Sequence, residues 1–270
     1  MTAKRTDWTP VAALAEEVER GGGIVGIAII APGGERYARH GARPFRAAST
    51  VKIPLMIEIY RQIDRGERAL DDPHTLRAAD KTPGSGVLLH LHDGLPLTLN
   101  DLIYLMISIS DNTATNILID LAGMDRVNAT MRALGMATST LGRKMRGRPA
   151  QGDEPENWAT PDEYATVVGT LLEHRAASPD ACDRMLTMLE RQQNARRLAR
   201  HLPEREDVRW GSKTGSIVGV TNDVGFITTP RGTLIASVFC EHLADQHIGE
   251  QLIGEISRTA LHATNLLDPL

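Results

Sequence analysis

The chain has little of what anchors several common functions. It holds two cysteines in 270 residues, Cys182 and Cys240, too far apart to form a redox or metal-ligand pair. They read as separate buried thiols rather than a disulfide. A formal net charge of −4 offers no basic footprint for nucleic acid, and no run of about 18 apolar residues is present to span a bilayer. Nucleic acid and membrane are therefore not expected as partners. Residues 1–23 also lack the apolar stretch of an export signal, so the chain as written is expected in the cytoplasm, or in the periplasm or medium if it is a mature form restarted at methionine. Among nine histidines none stands in a serine-hydrolase elbow, and His90-Leu91-His92-Asp93 has no third ligand cluster, so neither metal nor organic cofactor is expected. No internal repeat or low-complexity tract interrupts the chain.

What is present is an ordinary globular composition, 41% hydrophobic and 24% charged, in a chain long enough for one large domain or two lobes. Residues 8–20 carry apolar positions at helical spacing and end in Gly21-Gly22-Gly23, a stop before the β-rich run 24–30. Pro32-Gly33-Gly34 turns the chain into a second strand near 35–39. From Ser49 to about Pro203 the period is 3.6, with helices expected near 50–64, 99–109, 113–122, 125–134, 161–174 and 179–200, and no strand. β-Branched runs return at 218–229 and 233–239, followed by a final helix over 246–265. Early and late hairpins must share one sheet. The expected fold is thus α/β plus all-α: an antiparallel sheet flanked by helices, built from 1–45 and 206–270, with an inserted helical lobe over 46–205 and the active site between them.

Three short signatures carry the chemistry. Ser49-Thr50-Val51-Lys52 opens a helix, and residues three apart on a helix share a face, so the Lys52 amine comes within reach of the Ser49 hydroxyl. A serine hydroxyl needs a base, and a lysine serves only if burial or a nearby cation, such as Lys213, keeps it partly neutral. The helix N-terminus also offers the Ser49 N–H to an oxyanion. Ser110-Asp111-Asn112 makes a polar break between two apolar segments, with Asp111 read as a cap of the following helix. Lys213-Thr214-Gly215-Ser216 fits an edge-like strand in which Gly215 admits close backbone approach and Lys213 and Thr214 favour an anionic carboxylate. Alone, each triplet is weak, and Ser49 alone would read as an ordinary N-cap.

In this order, S-x-x-K, S-D-N and K-T-G are the set of serine acyl-transfer enzymes. With Pro44-Phe45-Arg46-Ala47-Ala48, Ile53-Pro54 and Thr221-Asn222-Asp223 around them, the chain resembles class A β-lactamases, within the penicillin-recognising serine hydrolases, from about residue 24 to the last helix. The resemblance implies β-lactamase-like architecture and ring opening through a Ser49 acyl-enzyme, with no cofactor. It also implies proton relay by Ser110, binding of lysine and substrate amide by Asn112, and a second oxyanion donor at Ser216. The implied partner is a small β-lactam or peptide-like carboxylate, bound by a monomer.

The resemblance breaks at the residue that activates water for ester release. Met145, in Leu141-Gly142-Arg143-Lys144-Met145, stands where a glutamate is expected, and the loop before Thr160-Pro161 is short. Glu156 and Glu154 are the replacement candidates; acids in such a loop are otherwise simply solvated. A penicillin-binding-type D,D-peptidase or esterase, or a covalent β-lactam sensor, is therefore the alternative to turnover. Gly84-Ser85-Gly86 reads as a plain loop beside the site. Arg191, Arg196, Arg197 and Arg200 read as the solvated face of one helix.

Overall fold

The protein is described here by a computed structural model covering residues 6–268. Helix α1 (Thr9–Arg20) leads into β1 (Ile24–Ile30), which pairs with β2 (Arg36–Arg39). Pro10 occupies the first turn of α1, where its missing N–H has no intrahelical partner to lose. Then come β3 (Phe45–Arg46), a 3-10 turn over Ala48–Val51 and α2 (Lys52–Asp64), followed by β4 (Pro73–Thr75), β5 (Pro96–Thr98) and α3 (Leu99–Ser108). Next are α4 (Asn112–Ala122), α5 (Met124–Ala133), β6 (Trp158–Ala159), α6 (Pro161–Leu172) and α7 (Pro179–Glu190). Strands β7 (Arg209–Ile217), β8 (Val220–Thr229) and β9 (Gly232–Glu241) precede α8 (Gln246–Ala263).

The main sheet runs β2-β1-β9-β8-β7 with every neighbour antiparallel, so the two ends of the chain do share one sheet. Strand alternation divides the interior. Val25, Ile27, Ile29 and Val238 pack with Val11 of α1 and Ile253 of α8, while Ala28, Val224, Phe226 and Phe239 pack toward α6 and the inserted helices. Each fully buried side chain of this size contributes about 1.5–3 kcal/mol relative to exposure. Cys182 lies in the helical core and Cys240 beneath α1 and α8, both as free thiols.

Two expectations are corrected. The helix expected over 179–200 stops at Glu190: the Gln192 amide donates to Ile107 O (3.3 Å) and Ser212 O (3.4 Å), and Gln193 N–H to Ser108 O (3.1 Å). Those tertiary bonds draw the chain off the helical path. The inserted lobe also holds strands, β4 with β5 and β6 with β3, each too short to show a period of two in the sequence.

Candidate active site

Ser49 lies in the 3-10 turn that feeds α2 and is 9% exposed. The backbone leading to it is tied on both sides: Ala47 N–H donates to Asn157 O (2.8 Å), and the Asn222 amide donates to Arg46 O (2.9 Å) and Ala47 O (3.2 Å). Ala48 has φ +46°, a left-handed conformation that costs a non-glycine residue about 1–2 kcal/mol. The turn presenting Ser49 is therefore strained, and the ties around it hold the strain. Gly215 of β7 lies so close that a Cβ there would stand 2.9 Å from Ala47 O and 3.1 Å from Ser49 N. A glycine is required at that contact.

Lys52 is fully buried and donates to Ser110 O (2.8 Å), Ser110 Oγ (2.9 Å) and Asn112 Oδ1 (3.1 Å). S-x-x-K and S-D-N thus meet through one amine. Burial, and then the charge of Lys213, push the Lys52 pKa well below its usual value, with Asp111 opposing. The Ser49 hydroxyl has no hydrogen-bond partner among the described residues; all three Lys52 bonds go to the Ser110–Asn112 turn. Ser110 itself has φ +60°.

Asp111 caps α4 through Ala114 N–H (2.9 Å), and its other oxygen accepts Val87 N–H (2.7 Å) and Leu88 N–H (2.9 Å). Its second role was not legible in the sequence. The Gly84-Ser85-Gly86 loop is pinned to the S-D-N turn: Ser85 O accepts Asn112 N–H (2.9 Å), Ser85 Oγ donates to Ser110 O (2.6 Å), and a Cβ on Gly86 would stand 2.2 Å from Asp111 Oδ2. Asn112 Nδ2 donates to Pro83 O (3.0 Å). This loop is part of the site's wall.

Lys213 is buried, donating to Thr214 O (2.9 Å); burial lowers its pKa to about 7, opposed by Asp223 and reinforced by Arg197. Arg197, 1% exposed, donates to Gly215 O (3.0 Å), Asn222 O (2.6 Å) and Ser216 Oγ (2.5 Å), and pairs with Glu250 at 3.5 Å. It belongs to the site, not to a solvated helix face. No local pattern separates it from Arg191, Arg196 and Arg200, because its partners lie 18 or more residues away.

The loop over 141–157 has no ladder to satisfy its backbone, and three asparagines do so instead. Asn128 Oδ1 accepts Leu141 N–H (2.9 Å) and its amide donates to Leu141 O (2.9 Å). Asn157 Oδ1 accepts Gly142 N–H (2.8 Å) and Arg143 N–H (2.9 Å). Asn116 clasps Met145 at both backbone groups, accepting its N–H (2.8 Å) and donating to its O (3.0 Å). Met145 is 8% exposed and faces the cavity. Glu154 lies outside the cavity lining, paired with Arg148 (2.7 Å) and Arg146 (3.1 Å), which hold its pKa far down. Glu156 reaches the lining but accepts from Arg143 Nε (3.1 Å) and Nη2 (3.3 Å), Asn157 N–H (2.9 Å) and Ala150 N–H (3.0 Å). Burial raises its pKa, and the Arg143 pair with those N–H groups outweighs burial, leaving it low.

These elements enclose a cavity of about 430 Å³ whose lining includes Ser49, Ser110, Asn112, Met145, Thr214 and Ser216, with Lys52 and Lys213 buried beneath it. Among the described residues lining it, Glu156 is the one carboxylate. No helix among the described residues is long and apolar enough to cross a membrane.

Comparison with known proteins agrees with this geometry. The chain is similar to a β-lactamase of Sphaerobacter thermophilus whose solved structure superposes with a TM-score of 0.96 at 64% identity, covering 98% of this chain and 100% of that one. A β-lactamase of Rhodobacter capsulatus is 34% identical over 182 residues, 64% of this chain; the match spans 61% of that enzyme's length. A solved structure of PBP-A reaches a TM-score of 0.87 at 25% identity, covering 98% of each chain. The model of the family described as "Beta-lactamase enzyme family" matches residues 10–264, so with nearly its whole length matched the chain belongs to the β-lactamase enzyme family.

Proposed function

We infer that this protein is a serine hydrolase of class A β-lactamase type that opens the β-lactam ring by forming an ester on Ser49. The observation carrying this reading is the fully buried Lys52, its pKa depressed, joined to Ser110 and Asn112 one helical turn from Ser49. Lys52, its pKa pushed down by burial and by Lys213, takes the Ser49 proton as Oγ bonds to the lactam carbonyl carbon. The Ser49 and Ser216 N–H groups receive the oxyanion. As the C–N bond breaks, Ser110 hands its proton to the leaving nitrogen and recovers one from Lys52. Asn112 orients the lysine and the substrate amide, while Lys213, Thr214 and Arg197 hold the substrate carboxylate beside the close approach made by Gly215.

For release, we propose Glu156 as a weak base, ahead of Glu154. Both its oxygens are already occupied, so a water reaching it must displace a hydrogen bond, and Met145, which lines the same cavity, brings no acid to help. Release is accordingly slow. The same observation supports a second reading, in which the ester persists and the protein acts as a penicillin-binding-type peptidase, esterase or covalent sensor.

A chromogenic cephalosporin, followed both by product release and by intact mass, tests these readings. Steady turnover that vanishes in Ser49→Ala supports the lactamase; one stoichiometric burst with a stable adduct supports the second reading. A protein that never gains mass at Ser49 overturns both.

A further inference from the structure

We propose that Asp223 is the positioning residue that keeps the substrate-carboxylate pocket cationic, by fixing Arg197 in place and balancing its charge against that of Lys213. The inference rests on the acylating activity proposed above.

Asp223 sits on β8 opposite Thr214 of β7 in the strand register and is 1% exposed. Its Oδ2 accepts the Leu198 N–H at 3.1 Å, which fixes the backbone immediately after Arg197. Its Oδ1 has no hydrogen-bond partner among the described residues, and neither do Arg197 Nε and Ser212 Oγ. A buried carboxylate with one oxygen unpaired carries a desolvation cost that nearby cations offset. Burial pushes the Asp223 carboxyl upward, opposed first by Arg197 and then by the Leu198 N–H, the nearby Ser212 hydroxyl and Lys213.

The charged groups around Lys213 come from several packed elements. Lys52 approaches from α2, Arg197 from the segment after α7 and Asp223 from β8, while Glu250 of α8 joins through Arg197 at 3.5 Å. Three cations therefore share these two acids and Asp111 beside Lys52, in a pocket proposed to hold an anion. Without Asp223, the ammonium of Lys213 would face Arg197 with no acid acting on it directly and would lose its proton at lower pH. The pocket would then keep only the charge of Arg197 near neutrality and bind a carboxylate more weakly there. Removing Arg197 acts with the opposite sign, because a like charge is taken away.

The test measures kcat/KM for acylation by a cephalosporin carrying its free carboxylate and by the methyl ester of the same compound, across pH either side of neutral. The ratio of the two isolates the pocket's charge from the chemistry at Ser49. In the wild type the ratio falls as pH rises through about 7, where Lys213 loses its proton. Asp223→Asn keeps an oxygen for the Leu198 N–H and removes only the charge. It should move this fall down by about one pH unit, a loss of about fivefold in the ratio at pH 7 that approaches tenfold above it. Arg197→Gln should move it upward, and the double variant should return it toward the wild-type position. An unmoved midpoint in Asp223→Asn, with both substrates losing equally, overturns the inference and leaves Asp223 merely structural. If Asp223→Asn does not fold, an unmoved midpoint in Arg197→Gln overturns it and an upward one supports it. Absence of any Ser49 adduct in the wild type, by contrast, defeats the acylation reading itself.

Discussion

Replacing Met145 by glutamate should turn a slowly released ester into a rapidly hydrolysed one. The backbone at this position is held from both sides by Asn116, at 2.8 and 3.0 Å, so the new side chain leaves the chain at the same point and in the same direction as the thioether. A general base positioned at the ester contributes about 10²–10⁴-fold, and the lower figure corresponds to about 2.7 kcal/mol of barrier. Burying the new carboxyl in its neutral form at a site 8% exposed to solvent costs about 1–3 kcal/mol, and several more once it ionises. For a chain of this size the neutral form alone lowers Tm by about 2–12 °C. Loading the enzyme with one equivalent of penicillin and following the decay of the adduct by intact mass gives the release rate directly. Met145→Gln, of similar shape and without charge, is the control, and the gain should grow with pH as the new carboxyl ionises. The reasoning is refuted if Met145→Glu acylates normally and melts cooperatively yet releases within about threefold of the wild type. Equal acceleration by Met145→Gln would refute it as well.

Two further outcomes follow from close contacts in the site. Gly215→Ala places a methyl group 2.9 Å from Ala47 O and 3.1 Å from Ser49 N, prising β7 from the nucleophile's turn. Acylation should fall about 100-fold, the usual cost of one misplaced oxyanion donor, with an overpacking cost of about 1–3 kcal/mol seen as a lower Tm; unaltered acylation kinetics would contradict this. Glu156→Gln removes the charge facing a largely buried Arg143, so it should cost about 2 kcal/mol of stability, seen as a Tm lower by about 4–8 °C. The same variant should accumulate the Ser49 adduct, whereas Glu154→Gln should not; equal release in both would remove Glu156 as the base.

Much of this architecture was legible because its signals are local. Capping and periodicity place α3, whose Thr98 and Asp101 reciprocally bond each other's backbone at 2.8 and 3.1 Å, and three triplets locate the residues around Ser49. What escaped depends on partners distant in sequence. Asn116 and Met145 are 29 residues apart, and nothing near either announces the clasp. Arg197 looked like its neighbours Arg191, Arg196 and Arg200 because a basic stretch with helical spacing carries no sign that Gln192 will divert it. Pro73 and Pro96 likewise hid β4 and β5, since prolines at the ends of three-residue strands read as turns.

Strand β7 lies at the open edge of the five-stranded sheet, and an unpaired edge is ordinarily a liability through which chains stick to one another. Here the inserted helices stand across that edge, with the turn carrying Ser49 against Gly215. Thr214 and Ser216 of β7 line the cavity of about 430 Å³ beside that edge. A covered edge cannot add a strand, so variants that draw the turn carrying Ser49 away from β7 should aggregate as well as lose activity.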